Sequence, residues 1–270
     1  MNIAYILGLG HSGSTFLQLV LSTHPDVVGM GEIDKLLKEL EAGVAEKDIP
    51  LCSCGESMAD CEVWGELRHQ IKGLDKQEAL KKIMVHFEAK FPATTMVDAS
   101  KSLGFLKDYY RPDNHPGHKI KVILVIRDIR SWLTSVKKTN LRKGRKHYGA
   151  VYEGYRWLNA NLRNLRFLKK NNFEYKVVVY EDLVFRHESV KADLFRFLEL
   201  SPAPEEAFPS RSHDIYGNRM KNDPSKQGKI VYDHAWMKNG YQPLVSMLLS
   251  PQYVYNKQFY AISTGTTQGK

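Results

Sequence analysis

The sequence contains short, continuously apolar runs separated by amphipathic segments, and this pattern constrains the fold most. The runs cover residues 3–7, 95–97, 121–126 and 175–180. A strand with one solvent-exposed face alternates apolar and polar residues, whereas a strand buried on both faces is apolar throughout. These runs therefore predict strands of a parallel sheet that is buried on both faces.

The segments between the runs have helical periodicity. Apolar residues recur every three or four positions over residues 151–168 and again over 190–198, as in amphipathic helices. Alternating strands and helices predict an α/β fold with a doubly wound parallel sheet. A chain of 270 residues without a Pro-, Gly- or Ser-rich linker suits one domain, which we place at residues 1–262, with residues 263–270 as a frayed polar tail.

The positive charge is concentrated in one part of the chain. The net charge is +9, but residues 1–60 carry 3 basic and 9 acidic residues, whereas residues 101–180 carry 19 and 5. This distribution predicts one face that meets an anion. No run reaches the roughly 18 apolar residues of a membrane span, and no signal-peptide pattern is present, so we expect a cytoplasmic protein.

A glycine-rich loop follows the first apolar run. The segment from Gly8 to Thr15 reads GLGHSGST, and Gly8, Gly13 and Thr15 have Walker A spacing. Ser14 replaces the lysine that grips the outer phosphates of a nucleoside triphosphate. The loop and the helix N-terminus after it predict a backbone cradle for an anion. Without the lysine, they favour a single 5′-phosphate that carries a small transferable group.

A second anion motif follows the strongest apolar run. That run ends in Arg127, and Ser135 follows eight residues later on a predicted helix. Arginine offers a two-pronged donor to phosphate, and the helix start adds hydroxyl and N–H donors. Since the two motifs follow strands, they predict two anion sites, which fit a nucleotide phosphorylated at both ends.

Together the two motifs resemble those of the sulfotransferases, whose fold is like that of the P-loop nucleoside triphosphate hydrolases. The resemblance implies the cofactor 3′-phosphoadenosine 5′-phosphosulfate (PAPS) and the product 3′,5′-bisphosphoadenosine. It implies that the loop holds the 5′-phosphosulfate and that the second motif holds the 3′-phosphate. The residues are Gly10, His11, Ser12, Gly13, Ser14 and Thr15 in the loop, with Arg127 and Ser135 in the second motif.

Four further segments extend the resemblance along the chain. They read GE at residues 31–32, VDASKS at 97–102, YEDL at 180–183 and GNRM at 217–220. The resemblance implies that Glu32 is the general base, and that Tyr180 and Arg219 contact the cofactor. The family normally has Lys or Arg at the position of His11. We therefore expect either a cationic His11, with activity falling as pH rises, or compensation by Lys101.

The predicted reaction transfers a sulfuryl group to an acceptor hydroxyl on a carbohydrate, a small-molecule alcohol or a tyrosine. Three alternatives remain open at this level. They are a P-loop kinase or nucleotide hydrolase, a nucleic-acid-binding protein using the basic residues 101–180, and an inactive cofactor-binding scaffold. Our prediction is no nucleic-acid partner and no transmembrane segment, with a homodimer as one option for the oligomeric state.

Two further features have no role in this interpretation. Cys52, Cys54 and Cys61 lack the paired spacing of common zinc motifs. Free thiols or one disulfide are the simpler expectation, so we predict no metal site, with zinc bound through His69 as the alternative. Residues 137–146 (KKTNLRKGRK) hold six basic residues. This run predicts a solvated face, or else a surface for an acidic acceptor or a membrane.

Overall fold

The computed structural model describes residues 1–92, 94–110, 117–146, 148–202, 211–217, 230, 232–238 and 250–263. Five parallel strands form one sheet in the order β2-β3-β1-β4-β5. The strands are β1 (Asn2–Gly8), β2 (Val27–Gly29), β3 (Thr95–Lys101), β4 (Lys119–Ile126) and β5 (Glu174–Val179). The predicted doubly wound parallel sheet is confirmed.

Ten α-helices surround this sheet in the described part of the chain. They are α1 (Ser14–Leu21), α2 (Ile33–Glu41), α3 (Trp64–Ile71), α4 (Lys76–Lys90), α5 (Leu103–Tyr109), α6 (Ile129–Arg142), α7 (Ala150–Lys170), α8 (Tyr180–Phe185), α9 (His187–Phe197) and α10 (Ser250–Ser263). Short 3₁₀ helices cover Glu46–Asp48 and Ala235–Lys238. Among the described helices, none combines the length and the apolar character that a bilayer crossing requires.

The sheet separates two hydrophobic cores. In β1, Ala4 and Ile6 face one core, and Ile3, Tyr5 and Leu7 face the other, as the two-residue period of a strand requires. Helices α1 and α9 cover the first, smaller core. The remaining large helices, including α6 and α7, cover the second. Burial on both faces explains why the strands read as continuous apolar runs.

Two strand boundaries differ from the sequence prediction. Strand β2 has only three residues, too few for an apolar run to stand out. The fifth strand ends at Val179, and Tyr180 starts α8 instead of ending the strand. Of the predicted tail, only Ser263 lies among the described residues, where it ends α10 and donates a hydrogen bond to Asp182 over 2.9 Å.

Parallel strands direct their carboxyl ends to one edge of the sheet, so the segments after all five strands meet there. The helix after β1 covers one face and the helix after β4 covers the other, although β1 and β4 are neighbours. Such a reversal leaves a crevice at the carboxyl ends of the two strands, where α/β proteins bind ligands. The two predicted anion motifs follow these two strands.

Candidate functional site

The glycine-rich loop is shaped by close packing at Gly13. This residue caps α1 with φ 93°, in the left-handed region that favours glycine. A Cβ at Gly13 would lie 2.4 Å from Cδ2 of Tyr180, so the ring excludes any side chain there. Glycine also brings no side chain to cap the helix, and an anion is the natural partner for the N–H groups of the first turn.

Arg127 is buried at the end of β4 and is held from several directions. Its Nε donates to Ser131 Oγ over 2.7 Å, and its Nη1 donates to the carbonyl oxygen of His11 over 3.2 Å. Its guanidinium carbon lies 4.7 Å from the ring centre of Tyr180. These contacts fix the guanidinium against the loop, so the two predicted anion motifs belong to one site.

The remaining guanidinium nitrogen of Arg127 already faces a carboxylate. Nη2 lies 3.2 Å from Oδ2 of Asp233, whose side chain is 48% exposed. The guanidinium therefore accommodates an anion on this side. An external anion that binds there would compete with the Asp233 carboxylate for Arg127 Nη2. Neither Asp233 nor Ser131 was found by sequence reasoning. The sequence could have indicated Ser131, because it lies one helical turn after Arg127. It gives no indication of Asp233, which lies 106 residues away.

Ser135 lies beside His11. The hydroxyl that accepts the hydrogen bond from Arg127 Nε belongs to Ser131, not to Ser135. The Oγ of Ser135 is 3.4 Å from Nδ1 of His11. Burial of the ring and the positive charges of Lys101 and Arg127 lower the pKa of His11 to about 4. His11 is thus neutral at pH 7 in this state, which differs from the cation considered from the sequence. Its backbone has φ 73°, uncommon outside glycine.

Glu32 and Lys101 form an ion pair at the same edge of the sheet. Lys101 Nζ lies 2.5 Å from Glu32 Oε1, and the two side chains are only 18% and 17% exposed. Lys101 ends β3 with φ 64°, and Gly31 precedes Glu32 with φ 75°. Backbone in this sparsely populated region is frequent at functional sites. The fold therefore unites the predicted base and the predicted cation.

A buried network sets the position of both partners. Asp98 accepts hydrogen bonds from the Ser100 amide over 2.8 Å and from Tyr110 Oη over 2.9 Å. Ser100 Oγ in turn accepts from the Asp34 amide over 2.9 Å, in the first turn of α2. Burial raises the pKa of Asp98 to about 7. The network connects the segment before Lys101 to the helix that begins just after Glu32.

Gly31 is held by a second buried network. Gln18 of α1 accepts a hydrogen bond from the Gly31 amide over 3.2 Å and donates through Nε2 to Asp214. A Cβ at Gly31 would lie 3.0 Å from Cα of Asp214. Asp214 belongs to the segment of residues 211–217. Its close approach favours glycine at position 31, directly before Glu32. Sequence reasoning missed Gln18 and Asp214.

The late part of the chain returns to the loop. A Cβ at Gly217 would lie 3.4 Å from Thr15 Oγ1, so residues 211–217 reach the start of α1. Trp236 packs on Arg130, whose guanidinium carbon is 4.3 Å from the ring centre. The predicted contact of Arg219 with the cofactor lies outside the described residues and stays a prediction.

A basic cleft of about 300 Å³ opens between the end of α6 and the start of α7. Its lining is Asn140, Arg145, Lys146, Tyr148, Tyr152, Glu153 and Arg156. Arg156 also lies over the ring of Trp132 at 5.2 Å, and Trp132 Nε1 donates to the carbonyl oxygen of Gly10 over 2.8 Å. Part of the basic run of residues 137–146 therefore lines a surface connected to the loop.

Comparisons with known proteins bear on the family and on the fold. The model of the family described as "Sulfotransferase family" matches residues 4–205. The sulfotransferase domain of the olefin synthase of Synechococcus PCC 7002 has the same fold, with a TM-score of 0.53, 19% identity, and coverage of 93% of this chain and 94% of that domain. The sulfotransferase domain of the curacin biosynthetic pathway aligns at 18% identity with a TM-score of 0.48, covering 92% and 97%. A sulfotransferase from Alicyclobacillus acidocaldarius aligns at 14% identity with a TM-score of 0.45, covering 92% and 91%. The comparison with curated proteins gave no match. The match to the family model extends over most of the chain and includes the loop, Glu32, Lys101, Arg127 and Tyr180, so this protein belongs to the sulfotransferase family.

Proposed function

We propose that this chain transfers a sulfuryl group from PAPS to an acceptor hydroxyl. The observation that carries the proposal is the ion pair of Glu32 with Lys101 at the sheet edge that also holds the loop and Arg127. A carboxylate can take the proton of an attacking hydroxyl, and an ammonium can stabilise charge on a departing phosphate. Lys101 is close enough to the loop to help lower the pKa of His11.

The residues present fit the two ends of this cofactor. At the 5′ end, no side chain caps the start of α1, and a helix start favours an anion. At the 3′ end, Arg127 is held by three contacts and has one nitrogen on a carboxylate that an anion can replace. The proposed 5′ contacts are Gly10, His11, Ser12, Gly13, Ser14 and Thr15. The proposed 3′ contacts are Arg127, Ser135 and Arg219.

When bound, PAPS supplies a sulfuryl group activated by attachment to a phosphate. In our proposal Glu32 accepts the proton of the acceptor hydroxyl as its oxygen attacks. Lys101 pairs with Glu32 before the reaction and would then donate a hydrogen bond to the phosphate of the cofactor, where negative charge develops. Tyr180 keeps the loop and Arg127 in place through its ring contacts. The residues act mainly by positioning and charge stabilisation, as in phosphoryl transfer.

Isothermal titration calorimetry with 3′,5′-bisphosphoadenosine tests the cofactor. We expect binding by the wild type, and at least about tenfold weaker binding by Arg127→Ala, because a charge-assisted hydrogen bond contributes about 1.5–3 kcal/mol. Arg163→Ala is the matched control, since Arg163 is exposed on α7. Absence of bisphosphate binding, or tighter binding of magnesium ATP, would overturn the proposal.

Transfer itself is tested with PAPS labelled in the sulfuryl group and a panel of hydroxyl acceptors. The panel contains carbohydrates, small-molecule alcohols and tyrosine peptides. We expect label to pass to at least one acceptor class and to require Glu32. If Glu32→Gln transferred label as fast as the wild type, Glu32 would not be the base.

A further inference from the structure

Three cysteines and one histidine converge away from the nucleotide site. Cys52, Cys54, Cys61 and His213 each place one ligand atom so that all four atoms lie within 4.8 Å of one another. The cysteines are free thiols in this structure. The sulfur atoms of Cys52 and Cys61 lie 3.6 Å apart, whereas a disulfide bond is about 2.05 Å long. A disulfide therefore does not explain this cluster.

The distances within the cluster match the edges of a zinc tetrahedron. Zinc lies about 2.3 Å from thiolate sulfur and about 2.0–2.1 Å from imidazole nitrogen, which sets ligand edges at about 3.8 Å for S–S and about 3.6 Å for S–N. The Cys52–Cys61 edge is 3.6 Å. His213 Nδ1 lies 3.4 Å from Cys61 Sγ and 4.0 Å from Cys52 Sγ.

The histidine is oriented as a metal ligand. His213 turns Nδ1 towards the sulfurs, and its Nε2 lies 3.2 Å from Oε1 of Glu62. Zinc-binding histidines usually donate a hydrogen bond from their second ring nitrogen to a carboxylate or carbonyl group, which fixes the orientation of the ring. The backbone is fixed as well, since the His213 amide donates to Gly29 and its carbonyl accepts from Trp64.

We propose that Cys52, Cys54, Cys61 and His213 bind one structural zinc ion. Four protein ligands complete a tetrahedron and leave no position for a substrate, as in structural sites. The fourth ligand differs from the one considered from the sequence: His69 is exposed on α3 and is not part of the cluster. The fold brings His213 to the cysteines from 152 residues beyond Cys61.

The zinc ion would join the loop of residues 52–61 to residues 211–217, which pack against Gly31 beside Glu32. The loop of residues 52–61 already pairs with residues 211–217, because the Ser53 amide donates to the Asp214 carbonyl and the Asp214 amide donates to Ser53 Oγ, each over 2.9 Å. Asp214 also accepts from Gln18, which in turn accepts from the Gly31 amide. Metal binding therefore stabilises the wall against which Gly31 packs.

Metal analysis of the full chain tests the site directly. We expect about one zinc per chain after purification without chelators, and release of that zinc to a chelating dye when a mercurial caps the thiols. If the chain is purified without metal, the reduced protein should take up one equivalent on titration. No zinc at purification together with no uptake on titration, or a different metal in place of zinc, would overturn the proposal.

Variants assign the ligands. Cys54→Ser changes an exposed ligand, and His213→Gln changes a buried one, and we expect each to lower bound zinc at least about tenfold. His69→Ala is the matched control and should keep the wild-type content. Cobalt replaces zinc in the second measurement, with visible bands of a tetrahedral thiolate complex expected for the wild type and lost in Cys54→Ser. Equal zinc content in Cys54→Ser and the wild type, or loss of zinc in His69→Ala, would contradict this ligand set.

Discussion

Lys101 Nζ lies 2.5 Å from a carboxylate oxygen of Glu32, although 69 residues separate them in the sequence. Lys101 ends β3 and Glu32 follows β2, and both have less than a fifth of their side chains exposed. An exposed ion pair contributes little to stability, but this pair is largely shielded and lies at the edge where the two predicted anion motifs meet. The pair therefore points to chemistry more than to stability.

Replacing Glu32 by glutamine removes the proposed proton acceptor and keeps the size of the side chain. We expect kcat for sulfuryl transfer to fall about 10²- to 10⁴-fold, which is the usual contribution of a general base. Bisphosphate affinity should stay within about twofold, since Glu32 is not among the proposed phosphate contacts. Steady-state kinetics and calorimetry measure the two effects. Glu66→Gln, an exposed change on α3, is the control and should leave both unchanged.

Replacing Asp233 by asparagine removes the carboxylate that faces Arg127 at 3.2 Å. A partly exposed ion pair contributes about 0.2–1 kcal/mol, so an entering phosphate should bind about 1.4- to fivefold more tightly in Asp233→Asn. Calorimetry with the bisphosphate at low salt measures the gain. Asp193→Asn removes an equal charge that pairs with Arg196 on the surface, and should not change the affinity. Weaker binding by Asp233→Asn would show that Asp233 helps to hold the nucleotide.

Replacing Gly13 by alanine should destabilise the loop for two separate reasons. An L-residue in the left-handed region costs about 1–2 kcal/mol, and a Cβ that meets the Tyr180 ring at 2.4 Å adds about 1–3 kcal/mol. We expect the free energy of unfolding to fall by about 2–5 kcal/mol in urea denaturation. Gly10→Ala is the stability control, because no atom lies within 4 Å of a Cβ there. Equal stability of Gly13→Ala and Gly10→Ala would contradict the packing argument.

The lowered pKa of His11 predicts a pH effect on stability. The value is about 4 in the folded chain and about 6.5 in an unfolded one, so the unfolded chain binds the proton more tightly between these values. The contribution of neutral His11 is complete above about pH 6.5 and is lost as the pH falls towards 4. The stability of the wild type should therefore decrease more than that of His11→Asn between pH 7 and pH 5.

Asparagine suits this comparison because it tolerates the positive φ of His11. Urea denaturation at the two pH values gives the difference, and an NMR titration of the imidazole gives the pKa. A measured pKa near 6.5 in the free chain would contradict the prediction. With a pKa of about 4, His11 is already neutral at pH 6.5. Its titration should therefore not lower kcat/KM, which reports ionisations of the free enzyme, between pH 6.5 and pH 8.

Much of the fold follows from local sequence patterns. The runs that form β1 and β4 are apolar on both faces, and a spacing of three and four residues marks α7, so periodicity identifies them. Strand β2 is too short for such a pattern, and the hydrogen bonds that it forms with β3 decide its place. Tyr180 is apolar enough to extend β5, but its helical backbone begins α8.

Local patterns in the sequence were enough to predict the alternation of strands and helices, the two candidate anion motifs and the resemblance to the sulfotransferases, because each depends on residues close together in the chain. Which distant side chains meet became known from the folded chain alone. Arg127 contacts Ser131 and Asp233 in the folded chain. The histidine beside the three cysteines is His213, not His69. Spacing along the chain specifies local geometry, whereas contacts between segments depend on how all the strands and helices pack together.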